Sequence, residues 1–164
     1  MLESLLAEAR RLTGAEAGTI YVRDGDELRF EVTHNEVLAR RLGDAEARAR
    51  LTSAPLSLSE RSIASYVALT RATVVIDDVY AIPASRPYTF NPELDRRNDY
   101  RCRSMLVMPL RDARGGLFGV LQLINRLDAR GEVVAFDAEC QARVAALVAE
   151  RAPSFPPARP GGHS

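Results

Sequence analysis

The sequence predicts an α+β domain, an antiparallel sheet with long helical insertions on one side. Three observations carry this. Strand-like segments follow one another across tight turns, as at Asp24-Gly25-Asp26, and a turn that short joins antiparallel strands. Segments 103–110 and 117–125 are apolar on both sides of the pleat, as central strands covered on both faces should be. Helical stripes open and close the chain, so the helices sit outside the sheet instead of alternating with its strands.

Taken in order, segment 2–12 places Leu2, Leu5, Leu6, Ala9 and Leu12 on one stripe, with Arg10 and Arg11 in its last turn and Gly14 beyond, which reads as a helix and its stop. It opens at Met1 with no cap ahead of it, as a segment of a longer polypeptide would. Segments 17–23 and 27–34 form a hairpin in which Leu28, Phe30 and Val32 alternate with Arg29, Glu31 and Thr33, the period of a sheet with one drier face. Residues 35–50, rich in Arg, Ala and Glu, read as a solvated helix or mobile excursion.

Ser57 and Glu60 are spaced as a capping box, predicting a helix over 59–70. An edge strand follows at 73–78. Asn91 and Pro92 predict a short helix capped by Asn91, with Pro92 as its first residue. The two central strands come next, then a helix over 137–151 bearing Cys140, Val144, Leu147 and Val148. Residues 153–164 (PSFPPARPGGHS) read as a linker or disordered tail, leaving 1–152 as one domain.

Composition excludes several chemistries. Lys+Arg and Asp+Glu both number 22, and a chain without a basic surplus is a poor nucleic-acid or anionic-membrane binder. No lysine occurs, which removes Schiff-base chemistry and phosphate loops of the Walker type. The histidines are His34 and His163 and the cysteines Cys102 and Cys140, too few and too far apart for a zinc site or a disulfide framework. Asp77, Asp78 and Asp95 have no metal-cage spacing. No apolar run reaches the length of a membrane span. The expectation is a cytoplasmic domain without metal or cofactor, and not an enzyme. Arg101 and Arg103 flank Cys102, an arrangement that lowers a thiol pKa in redox sensors; a cysteine at the start of a buried strand also reads as packing. His34 reads as a surface or loop histidine.

Between Ser62 and Asn125 the blocks SIASYVALT, VVIDDVY, FNPELD, YRCRSMLVMPL and GVLQLIN stand in order. In these blocks the chain resembles a GAF domain, of the kind found in cyclic-nucleotide phosphodiesterases, bacterial adenylyl cyclases and HD-GYP signalling proteins, over residues 2–151. The resemblance implies a PAS-related, central six-stranded antiparallel sheet with helices on both sides and a small-molecule pocket under inserted helices, and a sensor or dimerisation module that governs an output domain in a longer polypeptide.

Site residues follow from the resemblance position by position. It places Thr19 against a ligand base through its hydroxyl and Ile76 against it through apolar contact. Asp95 matches the acidic residue of the short inserted helix. Asn98 and Cys102 stand where relatives often carry Thr, Gln122 where one carries Glu, and Asp99 where Gly is common. A cyclic-nucleotide signature is half present: Asn125 and Asp137 match, Arg126 stands for Lys, Val133 for Phe and Ala138 for Glu. Arg126 is placed to pair with Asp137, although a guanidinium does not copy an ammonium.

Two functions of different class follow. One is a regulatory sensor that binds a small molecule, with cAMP or cGMP as the leading candidates, and moves helices 59–70 and 91–98. Its anion anchors would be helix N-termini near Ser57–Ser59 and Asn91–Glu93. The alternative is a ligand-free interaction module that forms a homodimer through Leu2, Leu5, Leu6, Leu12, Val144, Leu147 and Val148. A sulfoxide-reductase activity ranks last, since the cysteine pattern of those enzymes is missing.

Overall fold

A computed structural model describes residues 1–157; His163 and most of the predicted tail lie outside them. Six strands form one antiparallel path in the order β3-β2-β1-β6-β5-β4, as the resemblance implies. The strands are β1 (Ala15–Asp24), β2 (Glu27–Asn35), β3 (Leu56–Ser57), β4 (Val74–Ile76), β5 (Met105–Arg111) and β6 (Leu117–Leu127). A two-residue β7 (Val133–Val134) pairs with the end of β6. The backbones of β1 and β6 approach so closely that a Cβ on Gly119 would stand 2.1 Å from the Tyr21 carbonyl oxygen, which only glycine permits.

Period-two alternation divides the side chains between two layers. On one face, Ile20, Leu106, Met108, Leu121 and Leu123 meet α1 (Leu2–Thr13) and α6 (Ala138–Arg151). Leu5, Leu6, Val144, Leu147 and Val148 are all buried here against the chain's own sheet. These five side chains are engaged within one chain, while Leu2 and Leu12 of the expected dimer stripe stay half-buried. Ala152–Ser154 form a 3₁₀ turn after α6, and Phe155 returns to stack on Phe118 with ring centroids 4.9 Å apart. Packing therefore continues past residue 152, where composition alone reads a tail.

The opposite face carries α4 (Ile63–Thr70), which covers Val107 and Val120 with Ile63, Ala64 and Val67. Here the structure corrects a boundary. The helix begins at Ile63, capped by the Ser62 side chain, whose oxygen accepts the Ser65 N–H at 3.1 Å. Ser57 and Glu60 close a turn instead, with the Ser57 N–H donating to the Glu60 carboxylate at 3.1 Å. A capping box satisfies donors in an isolated turn as well as in a helix, and Leu58 is buried within that turn. Residues 35–50 form two packed helices, α2 (Glu36–Leu42) and α3 (Asp44–Leu51). Asn35 caps the first, and Leu38 and Ala47 are buried, so this is not a mobile excursion. The short helix α5 (Glu93–Asn98) starts one residue late, after Pro92, although the Asn91 side chain still accepts the Glu93 N–H.

Candidate functional site

Beneath α2, α3 and α5 the second face is hollow. A cavity of about 220 Å³ lies there, far more than the ~10–15 Å³ that holds one water. Its floor is the sheet, where Thr19 and Tyr21 of β1 and Gln122 and Ile124 of β6 reach it. Phe30 and Phe90 add aromatic walls, and the α4 N-terminus borders it at Ser62, Ile63 and Ala64. Leu38 and Leu51 come from α2 and α3, and Leu94, Asp95 and Asn98 from α5. Polar ties hold these roof helices together. Arg41 donates to the Asn98 and Asp99 carbonyls at 3.2 and 2.9 Å, and Asn98 Nδ2 donates to the Arg50 carbonyl at 3.4 Å. Asp99 ends α5 in the left-handed region, φ 47°, a conformation Asp tolerates better than most residues.

Five of the six residues expected at a ligand, Thr19, Asp95, Asn98, Cys102 and Gln122, line this cavity together. Ile76 does not. It sits on the edge strand β4, beyond β5, within the apolar cluster under α4, and lines a separate shallow groove with Asp77 and Asp78. An apolar residue in a strand cannot report from sequence which neighbour it packs on. The Thr19 hydroxyl lies 3.1 Å from that of Thr33, and Gln122 hydrogen-bonds the Tyr21 phenol, whose pKa burial pushes up.

Asp95 is occupied inside the chain. Its carboxylate accepts the Tyr80 hydroxyl at 2.5 Å, the Cys102 N–H at 2.9 Å and the Cys102 thiol at 3.1 Å. Burial, reinforced by Asp95, pushes the Tyr80 phenol up to about 12 and raises the Cys102 thiol well above its ordinary value. This corrects the redox-sensor reading of Cys102. The Arg101 guanidinium stacks over the Tyr80 ring, 4.1 Å from its centroid.

Asn125 fastens the chain just ahead of β5. In a left-handed conformation, φ 57°, it accepts the Arg103 N–H at 2.7 Å and donates to the Tyr100 hydroxyl at 2.8 Å and the Arg101 carbonyl at 2.9 Å. Tyr100 lines the cavity and donates in turn to Glu16; burial and that carboxylate raise its pKa strongly. Tyr80, Tyr100, Arg41 and Leu38 are the residues that sequence reading misses here. Two of them had a signal: Tyr80 as the last residue of the VVIDDVY block and Tyr100 as the first of YRCRSMLVMPL.

A family model for the GAF domain matches residues 1–152. The chain is a GAF domain. Its sequence is 26% identical, over 147 residues, to a cGMP-specific 3',5'-cyclic phosphodiesterase of Drosophila pseudoobscura pseudoobscura, a match taking in 85% of this chain and 12% of that protein. The chain therefore spans a small part of its curated relative. Among solved structures, the GAF domain/HD domain protein of Geobacter sulfurreducens superposes with a TM-score of 0.65 at 16% identity, over 92% of this chain and 87% of that one. A type II free methionine-R-sulfoxide reductase from Thermoplasma acidophilum superposes with a TM-score of 0.61 at 18% identity, over 96% and 95%. The two structures share the fold.

In this GAF domain the signature residues stand outside the cavity. Arg126 does pair with Asp137, at 3.4 Å, and donates to the Ala135 carbonyl at 3.1 Å, while its buried Nε has no hydrogen-bond partner among the described residues. Asp137 caps α6 through the Cys140 N–H, which holds its carboxyl below the usual range. Val133 is only half-buried in β7, and the aromatic filling this end of the core is Phe136. Cys140 packs on the α1–α6 face and Cys102 on the cavity face. His34 is half-buried in β2, with its Nε2 2.8 Å from Glu36. Among the described residues no helix is long and apolar enough to cross a membrane.

Proposed function

We propose that this GAF domain is a regulatory sensor that takes a small molecule into the cavity between the sheet and α2, α3 and α5, and controls an output domain. The observation that carries the reading is the cavity itself, lined by five residues placed there in advance by the resemblance. A purine cyclic nucleotide is the leading ligand. Phe30 and Phe90 offer faces for a base, and the N-terminus of α4, which borders the cavity at Ile63 and Ala64, suits an anion. The phosphodiesterase relative supports the same choice.

The domain acts by binding and not by catalysis. A thiol reductase needs a reactive thiolate, whereas Cys102 and Cys140 lie on opposite faces of the sheet with both pKa values raised by burial. The test is a thermal-shift series with cAMP, cGMP and cyclic dinucleotides, followed by calorimetry. A ligand at 100 times its Kd adds about 2.7 kcal/mol, read as a rise of several degrees in Tm. No shift with any of them, in protein shown by mass spectrometry to be ligand-free, would overturn the cyclic-nucleotide assignment.

A further inference from the structure

We propose that Asp95 is the latch of the cavity roof and not a ligand contact: its carboxylate holds α5 down on the chain entering β5, and Cys102 becomes accessible only when that latch opens. The proposal goes beyond the ligand reading and does not rest on it.

Three groups from two distant segments converge on this one carboxylate. The Tyr80 hydroxyl comes from the turn after β4, and the N–H and thiol of Cys102 come from the approach to β5. A carboxylate engaged by three donors has little capacity left for a ligand's donors. The anchors themselves are fixed. Asn125 holds the Arg101 carbonyl and the Arg103 N–H on either side of Cys102. The Tyr80 ring lies against Arg101 on one side and meets Phe90 edge-on at 5.1 Å, which aims its hydroxyl at α5.

The helix so fastened has six residues, too short to persist on its own. Its other polar attachments are at the far end, where Arg41 reaches the Asn98 and Asp99 carbonyls and Asn98 Nδ2 reaches the Arg50 carbonyl. Releasing Asp95 therefore frees the first turn of α5 while its last turn stays tied. Tyr80 is 41% exposed and Cys102 6%. Water can compete for the tyrosine hydroxyl, so the latch opens from that side, and the thiol is uncovered only afterwards.

Thiol labelling tests this on the full chain without any ligand. N-ethylmaleimide is added, and peptide mapping follows Cys102 and Cys140 separately; the sulfur adds to the maleimide double bond and the neighbouring carbon takes a proton from water. Tyr80→Phe deletes one donor and leaves the carboxylate in place. It should speed modification of Cys102 about tenfold, the worth of one hydrogen bond to a charged group, with Cys140 at the parent rate. Tyr88→Phe makes the same deletion on a ring packed against Tyr66 and should change neither rate. Unchanged Cys102 labelling in Tyr80→Phe would overturn the latch. So would an equal rise at Cys140, which reports general loosening, or a matching rise in Tyr88→Phe.

Discussion

The two faces of the sheet differ in what holds their helices. Under α1 and α6 the contact is continuous hydrocarbon, with Leu5, Ile20, Val144 and Leu123 all at 0% exposure. Under α2, α3 and α5 the sheet is hollow, and the roof is fastened by Asp95, Arg41, Asn98 and Asn125 through hydrogen bonds. Dispersion and burial act over the whole of a surface and fade only gradually. A hydrogen bond is local and exchanges readily with water, so its net worth is small. One sheet thus carries a face closed by hydrocarbon and a face roofed over a cavity by hydrogen bonds.

The sharpest way to break this contrast is to remove equal hydrocarbon from each face. Leu5→Ala should cost about 3 kcal/mol, because its close-packed surroundings cannot collapse onto the gap; a drop in Tm of about 10 °C by calorimetry would register it. Leu38→Ala, equally buried but bordering the cavity, only enlarges a space already present and should cost visibly less. Equal losses in chemical denaturation would end the distinction.

Asn125 sharpens it next. Asn125→Ala strands the Arg103 N–H and puts a Cβ-bearing residue without a local hydrogen bond in the left-handed region, for a combined loss of about 2–3 kcal/mol. Asn125→Gly should recover about 1 kcal/mol of that by relieving the backbone alone. Urea melts of the pair separate the two terms, and identical midpoints would mean the backbone strain is absent.

Asn35 caps α2 by accepting the Val37 and Leu38 N–H groups at 3.0 and 3.1 Å. Asn35→Ala should therefore cost about 1 kcal/mol and raise hydrogen exchange first in α2 and α3. Exchange that rose equally in α1 would contradict a separately held roof.

The smallest effect lies on the closed face. The Cys140 N–H keeps the Asp137 carboxyl below its ordinary value, so its contribution is complete above the unfolded pKa of about 4 and disappears as pH falls through the folded one. Asp137→Asn keeps a capping oxygen but removes the charge. Its Tm should lie below the parent's at pH 7 and converge on it as pH falls below about 4; a gap that stayed constant would assign the effect to something other than ionisation.

How much of this was legible in the sequence divides along the same line. The closed face announced itself, because Leu5, Leu6 and Ala9, or Val144, Leu147 and Val148, repeat at the helical period that apolar burial imposes. Five cavity residues were also legible, though only through family resemblance, since Thr19 and Gln122 lie in strands whose pattern does not mark them. Of the roof, α5 was legible from Asn91 and Pro92, but α2 and α3 were not. Residues 35–50 carry many arginines and few large apolar residues, and what fixes them is a bond such as Arg41 to the Asn98 carbonyl, between residues far apart in the chain and without period. Ile76 failed for a related reason: its apolar character was right, but an edge strand's neighbours are set by sheet order, not by local pattern.

The stack of Phe155 on Phe118 has a mechanical reading. Strand β6 bears Gln122 and Ile124 at the cavity and Phe118 near its other end. The segment leaving α6 is thereby coupled to the strand that floors the cavity by direct ring contact, so a displacement of β6 would be felt at Phe155 through two rings and not along the length of a helix. The chain contains no tryptophan. A single Phe155→Trp replacement would therefore place an emitter in that stack, with no other tryptophan in the sequence to overlap it.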